Sequence, residues 1–331
     1  MTPEEILRQL NIKKDHYNDL HVIRNFSSFV AISNGRIVAM TDPWMQHCPL
    51  FSRLYVMTQT DDREIIKQGI REAVEGKIKQ FGLFTGERQL HREDIAVPYG
   101  ASEMMMYGLT KKGIDATVTA CDGAGTVIAV TPSLVQGIGS RMNGLFYTTP
   151  IKEVIQEIES QQGTVVFPET AEIDQVKGVE KAAQMGYHTV AVTINGFTEE
   201  DLRCLRDLEE DYSITVVCII VCTTGITQER TDHIAQYADL VWSCASGEVR
   251  ETIGRKSILQ ITIPIPVFVV TEKGMKFASF YCSNPAILQN LDTSKQYLIA
   301  NTVKGTPLTM GMFSTYLTEA NLPLRGENDP R

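Results

Sequence analysis

The sequence predicts an α/β protein: a mostly parallel sheet with helices on both faces, doubly wound in the Rossmann manner, plus an N-terminal α+β region with a β-hairpin. Three observations carry this. From about residue 100, short apolar runs rich in β-branched residues recur: DATVTAC, GTVVFPE, HTVAVTIN, ITVVCIIVC, DLVWSC and IPVFVVTE. Amphipathic segments separate them, the alternation expected of a parallel sheet built from βαβ units. Near the N-terminus, Asn34-Gly35 joins two apolar alternations in FVAISNGRIVAM, a strong hairpin signal. An open sheet is favoured over a closed barrel, because about six βα units are visible where eight are needed.

Residues 1–95 form the N-terminal region, opening with a short charged helix over about 3–11. After the hairpin comes DPWMQHCPLF, a loop holding His47 and Cys48. TDDREIIKQGIREAVEGKIKQFG then places Ile65, Ile66, Ile70, Val74 and Ile78 on one helical face, with Thr60 as its cap. The α/β core spans 96–300 and starts with VPYGASEMMM, a helix start whose methionines fill the core. Glu103 there is a candidate to point toward the ligand edge as an acid or ligand. TPIKEVIQEIES takes Thr149 as cap and Pro150 as first helical residue, with Ile151, Val154, Ile155 and Ile158 in one stripe. AEIDQVKGVEKAAQMG ends at Gly186, and TEEDLRCLRDLEED takes Thr198 as cap over Leu202, Leu205 and Leu208. Residues 301–331 form a C-terminal extension with a frayed end.

Composition excludes several function classes. The chain has 331 residues, 43% hydrophobic, enough for a sizeable core. A net charge of −9 without any basic run excludes nucleic acid as a partner. No apolar stretch reaches the ~18 residues of a membrane span. MTPEEILRQLNIKKDH is no signal sequence, and seven scattered cysteines suit a reducing compartment, so a cytoplasmic location is expected.

Each apolar run ends in polar or reactive residues: Cys121-Asp122-Gly123, Pro168-Glu169, Asn195-Gly196, Cys222-Thr223-Thr224-Gly225, Cys244-Ala245-Ser246-Gly247 and Thr271-Glu272. In a parallel sheet all carboxyl ends share one edge, where ligands bind. Cys121, Cys222 and Cys244 are therefore expected on one rim, with Cys48 as a further candidate beside His47. They serve as metal or iron–sulfur ligands, or Cys121 acts alone as a thiolate, or all are core cysteines. Asp122 and Glu169 are the candidate acid/base residues. Cys204 and Cys218 are read as small core residues, and His16, His21 and His91 as surface.

Gly123 and Gly125 precede strand-like residues and lack a third glycine, and Gly137 and Gly139 also fail the dinucleotide pattern. No standard NAD or ATP site is expected. These glycines, with Arg141, Asn143 and Thr223, suit a small anionic ligand instead, or a loop packed over the sheet edge.

VPYGASEMMM, ACDGAGTVIAVTPSLVQGIGSRMNGLFYTTPI, AEIDQVKGVEKAAQMGY and VCTTGIT with DLVWSCAS resemble methanogenesis marker protein 8, from about residue 20 to 272. The resemblance implies anaerobic, cytoplasmic life and assigns no reaction or catalytic residue. Two readings follow. One is a metal-, cluster- or thiol-dependent enzyme acting on a small anionic metabolite. The other is a non-catalytic cofactor-binding or assembly factor, working as a homo-oligomer or with an assembly partner.

Overall fold

The computed structural model describes residues 1–45, 62–142 and 144–325. Helix α1 (Pro3–Gln9) opens the chain under a capping box, the Thr2 hydroxyl accepting from the Glu5 amide and the Glu5 carboxylate accepting in return. Strands β1 (His21–Asn25), β2 (Ser28–Ser33) and β3 (Arg36–Met40) form an antiparallel meander. Asn34 and Gly35 both take positive φ between β2 and β3, the two-residue hairpin that the sequence predicts. Helix α2 (Arg63–Phe81) lays Ile66, Ile70 and Val74 on Ile23, Val30 and Ile32, while the alternate residues Val22, Phe29 and Ala31 meet Ile6 and Leu7 of α1. Asp62 caps α2; Thr60, the expected cap, lies outside the described residues.

The core continues with α3 (Ala101–Thr110), β4 (Ala116–Cys121), β5 (Gly125–Ala129) and α4 (Pro132–Gly139). The next strand, β6 (Gly144–Tyr147), leaves the core and pairs with β1. The four-stranded sheet, in order β3-β2-β1-β6, thus draws its last strand from beyond residue 95. Then come α5 (Lys152–Ser160), β7 (Thr164–Val165), α6 (Gln175–Gln184), β8 (Thr189–Asn195), α7 (Arg203–Tyr212) and β9 (Thr215–Val221). Helix α8 (Gln228–Tyr237), β10 (Leu240–Trp242), α9 (Gly247–Thr252), β11 (Leu259–Ile261) and β12 (Val267–Val269) follow. The described chain closes with α10 (Glu272–Ser279), α11 (Pro285–Gln289), β13 (Tyr297–Ala300), β14 (Thr306–Met310) and β15 (Phe313–Glu319).

The large sheet has eleven strands in the order β14-β15-β13-β11-β12-β10-β9-β8-β4-β5-β7. Its centre, β4-β8-β9-β10, is parallel. Only one other neighbouring pair, β11 with β13, is parallel, and six pairs are antiparallel. The sheet is therefore mixed where the sequence predicts a mostly parallel one. The physical reason is connection length. Residues 122–124 and 262–266 are too short for a crossover, so β5 and β12 return antiparallel.

Helices do cover both faces. One core packs Val179, Leu205 and Ile234 of α6, α7 and α8 on the sheet; the other packs Met105, Leu134, Val154 and Phe277 of α3, α4, α5 and α10. Strands β8, β9 and β10 advance in one direction, so right-handed crossovers place α7 and α8 on the same face. A doubly wound Rossmann order does not emerge, because the hairpins interrupt it. Residues 306–319 extend the sheet as a terminal hairpin.

Two cap expectations shift. Helix α5 starts after Ile151 and α7 after Leu202. Thr149 Oγ1 instead accepts from the Leu20 amide at 2.9 Å, and the Thr198 hydroxyl donates to the Asn195 carbonyl at 2.8 Å. His21, expected at the surface, is fully buried, its ring bonded to Thr148 and Asp19. Among the described residues no helix is long and apolar enough to cross a membrane.

Candidate functional site

Because β4, β8, β9 and β10 run parallel, Cys121, Asn195, Val221 and Trp242 end at one edge of the sheet. The small sheet lies against this edge. Arg24 of β1 donates to the carbonyls of Thr224 (2.9 Å) and Cys222 (3.0 Å), and its guanidinium stacks 4.3 Å over the Phe197 ring. Gly144 of β6 sits where a Cβ would lie 3.3 Å from both Cys222 Sγ and Asn195 Nδ2. A cavity of about 680 Å³ opens between these elements.

Cys222 and Cys244 line it, and both hold left-handed backbone, with φ of 59° and 47°. That conformation costs a non-glycine residue roughly 1–2 kcal/mol. Buried arginines hold both turns. Arg24 grips the Cys222 carbonyl, and the guanidinium of Arg250 donates to the Cys244 carbonyl at 3.1 and 3.4 Å. Thr223 ties the two turns together, donating to the Trp242 carbonyl at 2.6 Å, while the Ala245 amide donates to Thr224 Oγ1 at 3.1 Å. Burial pushes the Cys222 thiol up to about 12, and the neighbouring Cys244 adds to this while Arg24 and Lys77 oppose it. The resting thiol is protonated at neutral pH.

Cys121 is not in the cavity wall. It packs fully buried, its pKa pushed well up by burial and by Asp122. The glycine run after it is a hairpin turn in which Cys121 pairs with Gly125, Gly123 and Gly125 supplying positive φ of 76° and 67°. Asp122 accepts from the Phe84 amide at 2.6 Å and from Arg88 Nε at 2.9 Å, with both side chains fully buried. Burial would depress the guanidinium pKa of Arg88, yet Asp122 and Cys121 hold it above its ordinary value. Arg88 also donates to the carbonyls of Gly137 and Ile138 at 3.1 and 3.0 Å. Gly137 lies where a Cβ would meet the Leu90 carbonyl oxygen at 1.8 Å. The two glycine runs thus converge on a buried ion pair away from the cavity, and of the four candidate glycines only Gly139 reaches the wall.

The remaining candidates scatter. Thr223 is buried behind the wall, Glu169 is exposed outside it, and Arg141 pairs with Asp94 at 3.2 Å over the Phe81 ring. Thr271 and Glu272 fall at the opposite edge, because β12 is antiparallel to β10. Cys48, His47 and Asn143 lie outside the described residues. Among the described residues, no three His, Cys, Asp or Glu side chains form a metal-ligand set.

Of the wall carboxylates, Glu103 is a sequence candidate and Glu200 carries no sequence signal. Glu103 reaches the wall, but its carboxylate is saturated by the amides of Ala96 and Val97, the Ser102 hydroxyl and the Gln136 side chain. Glu200 accepts from the amides of Gln175 (2.9 Å) and Val176 (3.3 Å) at the start of α6. Burial raises its carboxyl to about 7, with Asp174 adding to the rise and the two amides and Arg230 opposing it. A carboxyl whose folded value is raised favours folding fully below its unfolded value and loses that contribution as pH rises through the folded one. The wild type should therefore lose stability relative to Glu200→Gln between about pH 4.5 and 7. Thermal melts across that range check this, and parallel curves for the two proteins would contradict it.

The wall holds Glu103, Glu172, Asp174, Glu199 and Glu200 and, among the described residues, no lysine or arginine. Among the described wall residues the cationic group is the Met1 amine, paired with Glu199.

The chain matches, over residues 21–280, a family described as uncharacterised proteins conserved in archaea, DUF2099. The "Uncharacterized protein MJ0054" of Methanocaldococcus jannaschii is 40% identical over 257 residues, covering 77% of this chain and 88% of its own. No solved structure matches. The family match runs from the first residue of β1 to just past α10 and so takes in both sheets at the cavity. The chain belongs to the archaeal DUF2099 family.

Proposed function

We propose that the protein is a thiol-dependent enzyme acting on a small polar metabolite in the strand-end cavity, with Cys222 and Cys244 supplying reactive sulfur and Glu200 carrying protons. The supporting observation is the paired strain. Two cysteines in the turns after neighbouring strands adopt the left-handed region at the wall of one cavity, each with its carbonyl held by a buried arginine. Backbone strain of this kind persists where surrounding structure enforces it, and it clusters at ligand sites. At Gly144 the backbone approaches Cys222 and Asn195 so closely that a Cβ would lie 3.3 Å from both Sγ and Nδ2, and Asn195 Nδ2 has no hydrogen-bond partner within the protein. A metal or iron–sulfur centre gains no support from the described residues, which add no third ligand to the pair. The likeness to methanogenesis marker protein 8 supports an anaerobic setting, in which such thiols stay reduced.

The test is anaerobic incubation of the protein with a small-molecule extract of archaeal cells, followed by mass spectrometry. The wild type should consume at least one metabolite that Cys222→Ser leaves untouched. A compound retained unchanged by both proteins would favour the binding or assembly role and overturn the enzymatic one.

A further inference from the structure

We propose that the end of the cavity formed by α6 and the loop before α7 binds a protonated amine, so that the ligand is a small molecule with an ammonium group at one end and an apolar body. This deepens the reading of the cavity given above and rests on it.

The argument starts from hydrogen-bond accounting. Gln175 is 3% exposed and lines the cavity; its Nε2 donates to the Thr193 carbonyl at 2.9 Å, which fixes the amide's orientation and leaves Oε1 as an acceptor without a partner. A buried acceptor left unpaired costs about 1–3 kcal/mol, a cost that a ligand donor reaching it would relieve. Glu200 lies beside it, joined through the Gln175 amide. Among the described residues no lysine or arginine forms an ion pair with the Glu200 carboxylate; Arg230 donates instead to the backbone carbonyls of Gly196 and Glu200. The other acids at this end already have cations. Asp174 and Glu172 pair with Lys177 at 2.9 and 3.6 Å, and Glu199 pairs with the Met1 amine at 2.7 Å.

Anions are disfavoured by the same geometry. The first amides of a helix ordinarily attract negative charge. At α6 they are taken: those of Gln175 and Val176 by Glu200, and that of Lys177 by Asp174. What remains is a carboxylate and an amide oxygen, acceptors that match an ammonium donor. Away from this end the wall is apolar, with Met105, Val135, Leu145, Phe146 and Trp242 available to an alkyl or aromatic body.

Butylammonium, butyrate and 1-butanol serve as probes of equal length, with binding followed by ligand-observed NMR on the full chain. Butylammonium should bind at least about tenfold more tightly than butyrate, and Glu200→Gln should remove most of that preference. Gln175→Leu should weaken the amine more than 1-butanol, whose hydroxyl is the weaker donor to Oε1. Equal or tighter binding of butyrate would overturn the assignment, as would an amine preference that survives Glu200→Gln. Cys222→Ser separates the two proposals. Amine binding that persists in this variant, with no metabolite consumed by the wild type, would sink the thiol chemistry alone. Cysteine-dependent consumption without any amine preference would sink this inference alone.

Discussion

Arg88→Met is expected to lower the unfolding free energy by about 3–5 kcal/mol, because it strands the Asp122 carboxylate in the core without a cation. The pair is fully buried, with Nε 2.9 Å from Oδ1. Removing the guanidinium also frees the carbonyls of Gln89, Gly137 and Ile138. Asp122→Leu should cost a similar amount by leaving the arginine uncompensated. The double variant should cost much less than the sum, since it leaves no unpaired charge. Urea denaturation of the four proteins at neutral pH checks this. Additive losses, or a cost below about 1 kcal/mol for Arg88→Met, would show that the ion pair does not hold the two glycine runs together.

That pair also shows why the same sequence pattern led to different places. CDGAG, CTTG and CASG each follow an apolar run with a cysteine and a glycine nearby. The runs themselves were legible, because β-branched residues between amphipathic helices leave few alternatives. So was the hairpin, since Asn34 and Gly35 take the two positive φ values that a tight turn demands. The sequence does not disclose that CDGAG closes a three-residue hairpin. The closure turns Cys121 inward against β5, while the turns after β9 and β10 leave Cys222 and Cys244 at the wall. The deciding partners are remote: Arg24 lies 198 residues from Cys222, and Arg88 lies 34 from Asp122. Glu200 and Gln175 acquire their roles only when α6 and the loop before α7 meet across 25 residues. Local composition carries none of these pairings. The run SLVQGIG reads as a glycine-rich loop, yet it forms α4 with proline in its first turn, and the glycine at 137 admits the Leu90 carbonyl and not a ligand.

The thiols give the second large effect and the most direct test. Cys222 and Cys244 are half-buried at the cavity, Cys204 is half-buried on α7 away from it, and Cys121, Cys218 and Cys282 are buried. Reduced protein treated with iodoacetamide at pH 8 and mapped by mass spectrometry should label at Cys222, Cys244 and Cys204 before any buried thiol, Cys222 slowly because its raised pKa leaves little thiolate. The three buried thiols should lag until the chain unfolds. Gly144→Leu places a side chain in the space beside Cys222 Sγ. It should slow Cys222 labelling by at least about tenfold and leave Cys204 unchanged, since both access and the thiolate fraction set the rate and a leucine against the sulfur lowers access. Cys222 labelling that is unaffected by Gly144→Leu, or Cys121 reacting ahead of both wall cysteines, would contradict the claim that the strand-end cavity is where this protein presents its sulfur.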